Sequence, residues 1–442
     1  MDMQHVVVLG SSIAGLAAAR VVRQAGIKVI IVEPDDLVAG VRPGVPQLHQ
    51  VHALLDMGRT QLDRLFPGLT HGLVEDGAVL ASGNQIAMYA SGTRKVGVPG
   101  NELIGTTREL LESHVRRRMF SDSAVELVRG RGVGLRFTGD RVSGVRYQAV
   151  GSTRVADLSA DAVIDATGRS SRLAAWLEDG GWQAPAVDRI GIDLGYATAV
   201  FRRADELPGL KVAHATPVVA ATTADQADTG ALAAVEGDRW MAVIAAYGDR
   251  RPSRDPAEFL KRMQGIEASP FGVVAERCEM LSPVHTYRMA HSLRRDYAGL
   301  QRLPGGLFAV GDAVASYNPV YGQGMTSAAL HASCLAAYLR RGNSLHAPAR
   351  AYFEHIAVIV NAAWSLSTVA DLAQPHVTGP YPRGYRLIKK SADLITRASV
   401  TDPWVNERFL DVVNMRRHPA QLQSPAFLWR VGRALLAQRC GR

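Results

Sequence analysis

The chain has 442 residues, 47% of them hydrophobic and 21% charged, with a formal net charge of +9. That length calls for two or three domains and leaves room to bury a large ligand, and the composition is that of a globular protein without low-complexity segments. The positive charge is scattered, with short clusters at 116–118 and at Arg250 and Arg251 and no interleaved aromatics, so nucleic acid is not an expected partner.

Cys278, Cys334 and Cys440 are too far apart for a metal motif or a disulfide framework, which fits a reducing compartment, the cytoplasm. The N-terminal QHVVVLG runs straight into a glycine turn, so it reads as a first strand and not as a signal peptide. The uncharged stretch HIAVIVNAAWSLSTVA (355–370) is shorter than the roughly 20 residues that cross a bilayer. A soluble protein is therefore expected.

In chain order, HVVVLGSSIAGLAAARVVRQAGIKVIIVEPDD (5–36) predicts strand, tight turn, helix, strand. Gly10, Ser12 and Gly15 occupy the three positions of a Gly-x-Gly-x-x-Gly fingerprint, with serine in the middle. Small residues let backbone approach a pyrophosphate, whose charge meets the N–H groups of the helix opening at Ile13 and Ala14. Glu33 ends the second strand, where a carboxylate accepts from a ribose. A dinucleotide site follows from the agreement of strand, turn, helix and terminal acid.

RPGVPQLHQVHALL (42–55) is a turn-to-helix segment carrying His49 and His52, without metal spacing. TTRELL (106–111) opens a helix in which Arg108 points to a phosphate or to nothing more than solvent. GRGVGLRF (130–137) is strand-like, and ADAVIDATGRSSR (160–172) is an apolar strand ending in Asp165-Ala-Thr-Gly168. RIGIDLGYATAVFRR (189–203), HATPVVAATTA (214–224) and TGALAAVEGDRWMAVIAAYGD (229–249) read as strands, the last with a hairpin at Glu236-Gly-Asp238. GDAVASYNPVYGQGM (311–325) then aims a carboxylate and a glycine-rich turn at one place, ahead of the helical TSAALHASCLAAYL (326–339). From about residue 346 the chain is mostly helical, and the basic amphipathic tail PAFLWRVGRALLAQR (425–439) is expected to dock on the core in preference to a membrane.

The fingerprint with Glu33, Arg108, the DATG strand, and Gly311-Asp312 followed by Pro319 and Gly322-x-Gly324 together resemble a flavoprotein monooxygenase of the para-hydroxybenzoate hydroxylase fold. Within that group, 42–55 and NPVYGQGM (318–325) look most like bacterial flavin epoxidases of polyether biosynthesis and distant relatives of squalene epoxidase. The resemblance implies an α/β architecture: a Rossmann-like FAD-binding domain (1–75, 100–185 and 286–345), an interleaved antiparallel β-sheet substrate domain (76–99 and 186–285) and a helical C-terminal region (346–442).

By the same resemblance Glu33 meets the adenosine ribose, Arg42 and Arg108 the phosphate and ribityl region, and Val133 the adenine. Gly10, Ser12, Ile13, Ala14, Gly15, Gly168 and Gly311 form the backbone cradle, and Asp312 accepts from a ribityl hydroxyl. Pro319, Gly322, Gln323, Gly324 and Met325 border the isoalloxazine ring, with Tyr317 and Tyr321 as substrate candidates. The implied reaction inserts one oxygen atom of O2 into an apolar substrate through a flavin C4a-hydroperoxide, alkene epoxidation above all, with no protein catalytic residue.

Thr167-Gly168 stands where family hydroxylases carry an Asp-Gly pair linked to NADPH, so NADPH or NADH serves as reductant directly or through a separate flavin reductase. Hydroxylation, Baeyer–Villiger oxidation, prenyl-chain reduction and a non-catalytic isoprenoid- or peptide-binding role share the same fold-level signals.

Overall fold

The computed structural model describes residues 4–37, 48–52, 54–217 and 228–440. His5–Leu9 is apolar at every position after the first, the pattern of a strand covered on both faces, and it lies in the middle of a seven-stranded sheet. Lys28–Glu33 and Ala162–Asp165 flank it in parallel, and Leu307–Ala309 and Val125–Thr138 extend the sheet in parallel on either side. Val125–Thr138 outruns its parallel partner and folds back antiparallel into Arg141–Ala149 and Val155–Ser159. The small residues of the helix Ile13–Gln24, among them Gly15, Ala17, Ala18 and Ala19, are buried and let the long helix Gln323–Arg340 pack closely on it.

The second sheet has eight strands, in the order Ala315–Ser316, His285–Asp296, Ala186–Arg202, Arg239–Tyr247, Thr229–Val235, Val212–Thr216, Ile86–Ala90 and Thr93–Arg94. It is antiparallel except where Val212–Thr216 runs beside Ile86–Ala90. Strand alternation gives it two different faces. Ala213, Leu232, Ala242 and Ile244 pack with Phe259, Met263 and Phe271 of two covering helices, whereas His214, Ala231 and Val243 line a large cavity on the opposite side. The expected hairpin closes at Glu236-Gly237-Asp238, with Gly237 and Asp238 both at positive φ.

Two elements fall on the other side of the expected domain divisions. His285–Asp296 is hydrogen-bonded between Ala186–Arg202 and Ala315–Ser316, so a division at 286 leaves out a strand of the larger sheet. Val79–Ser82 pairs with Glu102–Gly105 in a separate two-stranded sheet. Both pairings join segments by tertiary contact and have no periodic signature of their own. The segment 218–224 of the expected strand HATPVVAATTA lies outside the described residues, while Val212–Thr216 is a strand.

The C-terminal region is helical: Arg350–Asp371, Tyr385–Thr401, Pro403–Val413 and Pro425–Cys440. By length and composition Arg350–Asp371 is long and apolar enough to cross a membrane, more than its uncharged stretch alone suggested. One face of it, with Tyr352, Phe353, Ile356, Val360 and Ala363, is buried, and the helix packs on Gln323–Arg340. The tail helix docks Phe427, Val431 and Ala434 into a cluster with Ile395, Ala398 and Val405, and leaves Leu428, Trp429 and Leu436 exposed.

The small sheet and the large one touch where Gly105 faces Ala234: a Cβ at Gly105 would lie 2.0 Å from the Ala234 carbonyl oxygen. Gly105→Ala is expected to lower stability by about 1–3 kcal/mol, the range for overpacking, in a denaturant titration.

Candidate active site

The carboxyl ends of three neighbouring parallel strands, His5–Leu9, Ala162–Asp165 and Leu307–Ala309, converge on one floor. Gly10 leaves the first at φ 104, and a Cβ on it would stand 2.6 Å from the Ala166 carbonyl oxygen. Gly311 leaves the third at φ 61, and its Cβ would meet that of Ala14 at 2.7 Å. Gly168 follows the second at φ 76. Only glycine meets both the dihedral and the close approach at Gly10 and Gly311.

Each turn is held by a buried polar group. Glu33 accepts from the Ser11 N–H at 2.8 Å and the Ser11 hydroxyl at 2.7 Å, so it fixes the glycine turn from beneath. The Ser12 hydroxyl donates to Glu112 at 2.6 Å, and Arg108 bridges the pair, with Nε on Glu112 and Nη2 on Ser12, each at 2.8 Å. Ser12 therefore makes no side-chain cap on the helix it opens, and that first turn holds no acid. Its N–H groups and positive dipole end face the cavity. Asp165, fully buried, accepts from the Thr167 N–H and hydroxyl and from the Ser171 hydroxyl. The Gly311 N–H donates to His331 Nδ1 at 3.1 Å, which requires that nitrogen bare, and burial drives the imidazole down to about 3. Arg295 donates to the Asp312 and Ala313 carbonyls and to that of Arg169, tying two turns together. Glu112, His331 and Arg295 were not expected from the sequence; Glu112, four residues after Arg108 on one helix face, carried the most legible signal.

Asp312 lines the cavity; burial raises its carboxyl, against the pull of Arg108 and Arg169. Gly322, at φ 66, precedes the helix Gln323–Arg340, which also lacks a side-chain cap. Gln323 is buried on the cavity wall, and its Oε1 has no partner among the described residues. Pro319, Gly324 and Met325 line the same wall. Val133 sits at the register shift between Gly132 and Gly134, and the cavity wall there is made by Arg131 and Gly132. Arg42 lies outside the described residues.

The two histidine-segment residues separate in role. Gln50 donates to the His285 carbonyl and accepts from Thr198 at 2.5 Å, joining its loop to two strands of the larger sheet. His52 donates from Nδ1 to the Gln50 carbonyl at 2.8 Å; burial and the Arg108 charge push it down to about 3, so its bare Nε2 is an acceptor on the cavity wall. His49 stacks on His285 at 4.6 Å.

Tyr317 and Tyr321 both line the cavity, and Tyr321 belongs to a buried polar cluster. Asn318 donates to Asp371 at 2.7 Å and to the Tyr247 hydroxyl at 3.0 Å, while the Tyr321 hydroxyl donates to Asp371 at 3.2 Å. Asp371 Oδ2 has no partner among the described residues. Burial raises this carboxyl to about 7, against the hydrogen bonds from Asn318 and Tyr321 that lower it. Asp371 lies at the end of an apolar helix, 53 positions from Asn318, so no local pattern announced it.

These walls enclose one cavity of about 2700 Å³. Single-ligand pockets run roughly 300–1,000 Å³, so there is room for a dinucleotide and a second ligand. The two uncapped helix N-termini, the glycine cradle, Arg108 and the unpartnered Gln323 oxygen fit a flavin dinucleotide.

No protein-family model matches the chain. It is 32% identical over 429 residues to "Protein Rv3254" of Mycobacterium tuberculosis (strain ATCC 25618 / H37Rv), covering 92% of this chain and 88% of that protein. Among solved structures it is similar to the flavin-dependent brominase Bmp2, with a TM-score of 0.71 and 15% identity over 99% of this chain and 100% of that one. It is also similar to p-nitrophenol 4-monooxygenase PnpA from Pseudomonas putida DLL-E4, with a TM-score of 0.67 and 17% identity over 94% and 99% of the two chains. The fold is that of the flavin-dependent brominase Bmp2 and of p-nitrophenol 4-monooxygenase PnpA.

Gly311→Ala is expected to push the first turn of Ile13–Gln24 away and to cut flavin retained per mole of purified protein at least about tenfold, read from the visible absorbance. Asp371 gives a pH signature. Its folded value of about 7 lies above the ordinary carboxylate value, so its contribution to stability is full below about pH 4 and is lost as pH rises to about 7. Urea titrations should show wild-type stability relative to Asp371→Asn falling across that window and levelling above it.

Proposed function

The chain belongs to the family of the mycobacterial protein Rv3254, and from that premise we propose that it is an FAD-dependent monooxygenase that inserts one oxygen atom of O2 into an apolar metabolite, with alkene epoxidation the favoured reaction. The supporting observation is the continuity of one cavity from the glycine turn at Gly10, past Asp312 and residues 322–325, to the apolar face of the eight-stranded sheet. Bound FAD would supply two-electron reduction and the activation of O2.

The protein's own part is to bind, orient and keep dry. The uncapped turn at Ile13 and Ala14 offers N–H groups to a pyrophosphate, with the Arg108 guanidinium held beside it by Glu112. Asp312 offers an acceptor to a ribityl hydroxyl. Residues 322–325 open a helix whose positive end favours the negative charge of a reduced ring. Ala231, Val243 and Ala245 give the substrate side an apolar wall, and water held off that wall cannot divert the oxygen. An alkene needs no protein base, because the transferred oxygen is the electrophile.

NADPH or NADH is the proposed reductant, directly or through a separate flavin reductase; Thr167 in place of an acid before Gly168 supports the indirect route. The other partners proposed are the apolar substrate and O2, and the compartment is the cytoplasm.

A second reading, hydroxylation of a phenol, is favoured by the cluster of Tyr247, Asn318, Tyr321 and Asp371. A carboxyl near neutrality that accepts from a cavity-lining tyrosine can take up the proton of a phenol through that tyrosine.

The test is to load the purified protein with FAD, reduce it anaerobically, and mix it with O2 and candidate polyenes or phenols. A product heavier by one oxygen, labelled from ¹⁸O2, supports the proposal; a gain of two hydrogens indicates a reductase, and a protein that takes up no FAD sinks both readings. Arg108→Met is expected to weaken FAD binding about tenfold, by loss of a charge-assisted contact, in a fluorescence titration.

A further inference from the structure

On the cavity wall stands a cation that has no carboxylate partner among the described residues. Lys95 follows the hairpin of Ile86–Ala90 and Thr93–Arg94, which turns through Ser91 and Gly92 at φ 42 and 74. Its backbone is clamped from both sides: the Lys95 N–H donates to the Met88 carbonyl, and the Val96 N–H to that of Val400. Asn406 also donates to the Val96 carbonyl at 2.7 Å. The side chain is therefore fixed at the junction of the larger sheet and the C-terminal helices, 9% exposed, on the cavity wall.

The Lys95 ammonium lies 4.3 Å from the centre of the Phe409 ring, and no hydrogen-bond acceptor or carboxylate partners it among the described residues. Most other charges on this part of the lining are paired. Asp228 pairs with Arg250 and Arg262, and Lys389 pairs with Asp393. Glu267 sits exposed at the rim. Burial lowers the Lys95 ammonium to about 7, and no carboxylate offsets it; His214 is held neutral, at about 4, by burial and the Lys95 charge. An ammonium left alone in such a place is costly, and a carboxylate ligand removes that cost.

From Lys95 a row of mostly uncharged side chains leads back across the sheet. Met88, His214, Ala231, Val243 and Thr198 are cross-strand neighbours in one row. The four strands from Met88 to Val243, at about 4.8 Å spacing, span about 14 Å. Met88, His214, Ala231 and Val243 line the cavity, and the row ends at Thr198, which is buried and bonded to the cavity-lining Gln50.

We propose that Lys95 is the anchor for a carboxylate head group, and that the substrate is a long apolar carboxylic acid whose carbon chain lies along the row from Met88 to Val243. In calling that ligand the substrate, the inference rests on the oxygenase reading; the carboxylate site itself does not.

The test is a binding measurement on the FAD-loaded protein by calorimetry, with oleate and methyl oleate as probes. Oleate is expected to bind at least about tenfold more tightly than the ester, the scale of one charge-assisted hydrogen bond. Lys95→Met should abolish that preference and leave ester affinity within about twofold; Lys95→Arg, which keeps the charge, should retain the preference and covers the case in which the methionine variant fails to fold. Equal affinity of the wild type for acid and ester, no oleate binding, or an undiminished preference in Lys95→Met overturns the proposal. Loss of oxygen incorporation alone, with the oleate preference intact, removes the oxygenase reading and supports the carboxylate site.

Discussion

Three backbone turns must meet within van der Waals distance at the ends of three neighbouring strands, and the rest of the molecule is arranged around that constraint. Gly10, Gly311 and Gly15 are where it bites: a Cβ on Gly10 or Gly15 would collide with a carbonyl oxygen, and one on Gly311 with Ala14. Parallel strands in adjacent register bring the turns together. The close approach leaves the first turns of Ile13–Gln24 and Gln323–Arg340 with unspent N–H groups directed at one cavity. A bound anion or a reduced, negatively charged ring is the natural complement to that field.

The buried charges around the cavity divide by whether the protein satisfies them itself. Glu33, Glu112 and Asp165 accept from neighbouring backbone or side-chain donors and act as braces for the turns. Asp371 and Lys95 are different. One oxygen of Asp371 has no partner among the described residues, the Lys95 ammonium has the face of the Phe409 ring but no hydrogen-bond acceptor or carboxylate there, and both groups are pushed toward neutrality by burial. A fold that wanted only stability would fill such places with apolar side chains of the same volume. Asp371 stands behind Tyr321 and Lys95 on the wall beside Met88, so the cavity has two buried polar contacts on a lining that also carries Ala231, Val243 and Ala245.

Glu33 shows how a correct placement can carry a different immediate task. The spacing from Gly10 put an acid at the end of the second strand, and the structure has it there, bonded to Ser11 under the turn. Ser12 likewise sits at the middle fingerprint position, with its hydroxyl turned to Glu112 and not to the cavity. Val133 marked the right strand, but the bulge between Gly132 and Gly134 gives the wall to Arg131 and Gly132. For Glu33 and Ser12 the local motif located the segment, and a partner about 20 to 100 residues away decided which atom faced which way.

Sequence alone determined the strand–turn–helix units, because glycine spacing, apolar runs and helix-opening residues are local properties of a few neighbouring positions. The expectation that three such units serve one ligand rests on the same local signal, since each ends in the same combination of apolar strand and small-residue turn. Tertiary structure alone decided that His285–Asp296 joins the larger sheet, that Asp371 lies against Asn318 and Tyr321, and that Lys95 meets the Phe409 ring and no carboxylate among the described residues. Pairing across a sheet and the presence or absence of a partner for a buried charge depend on segments distant in the chain, and only the folded packing brings those together.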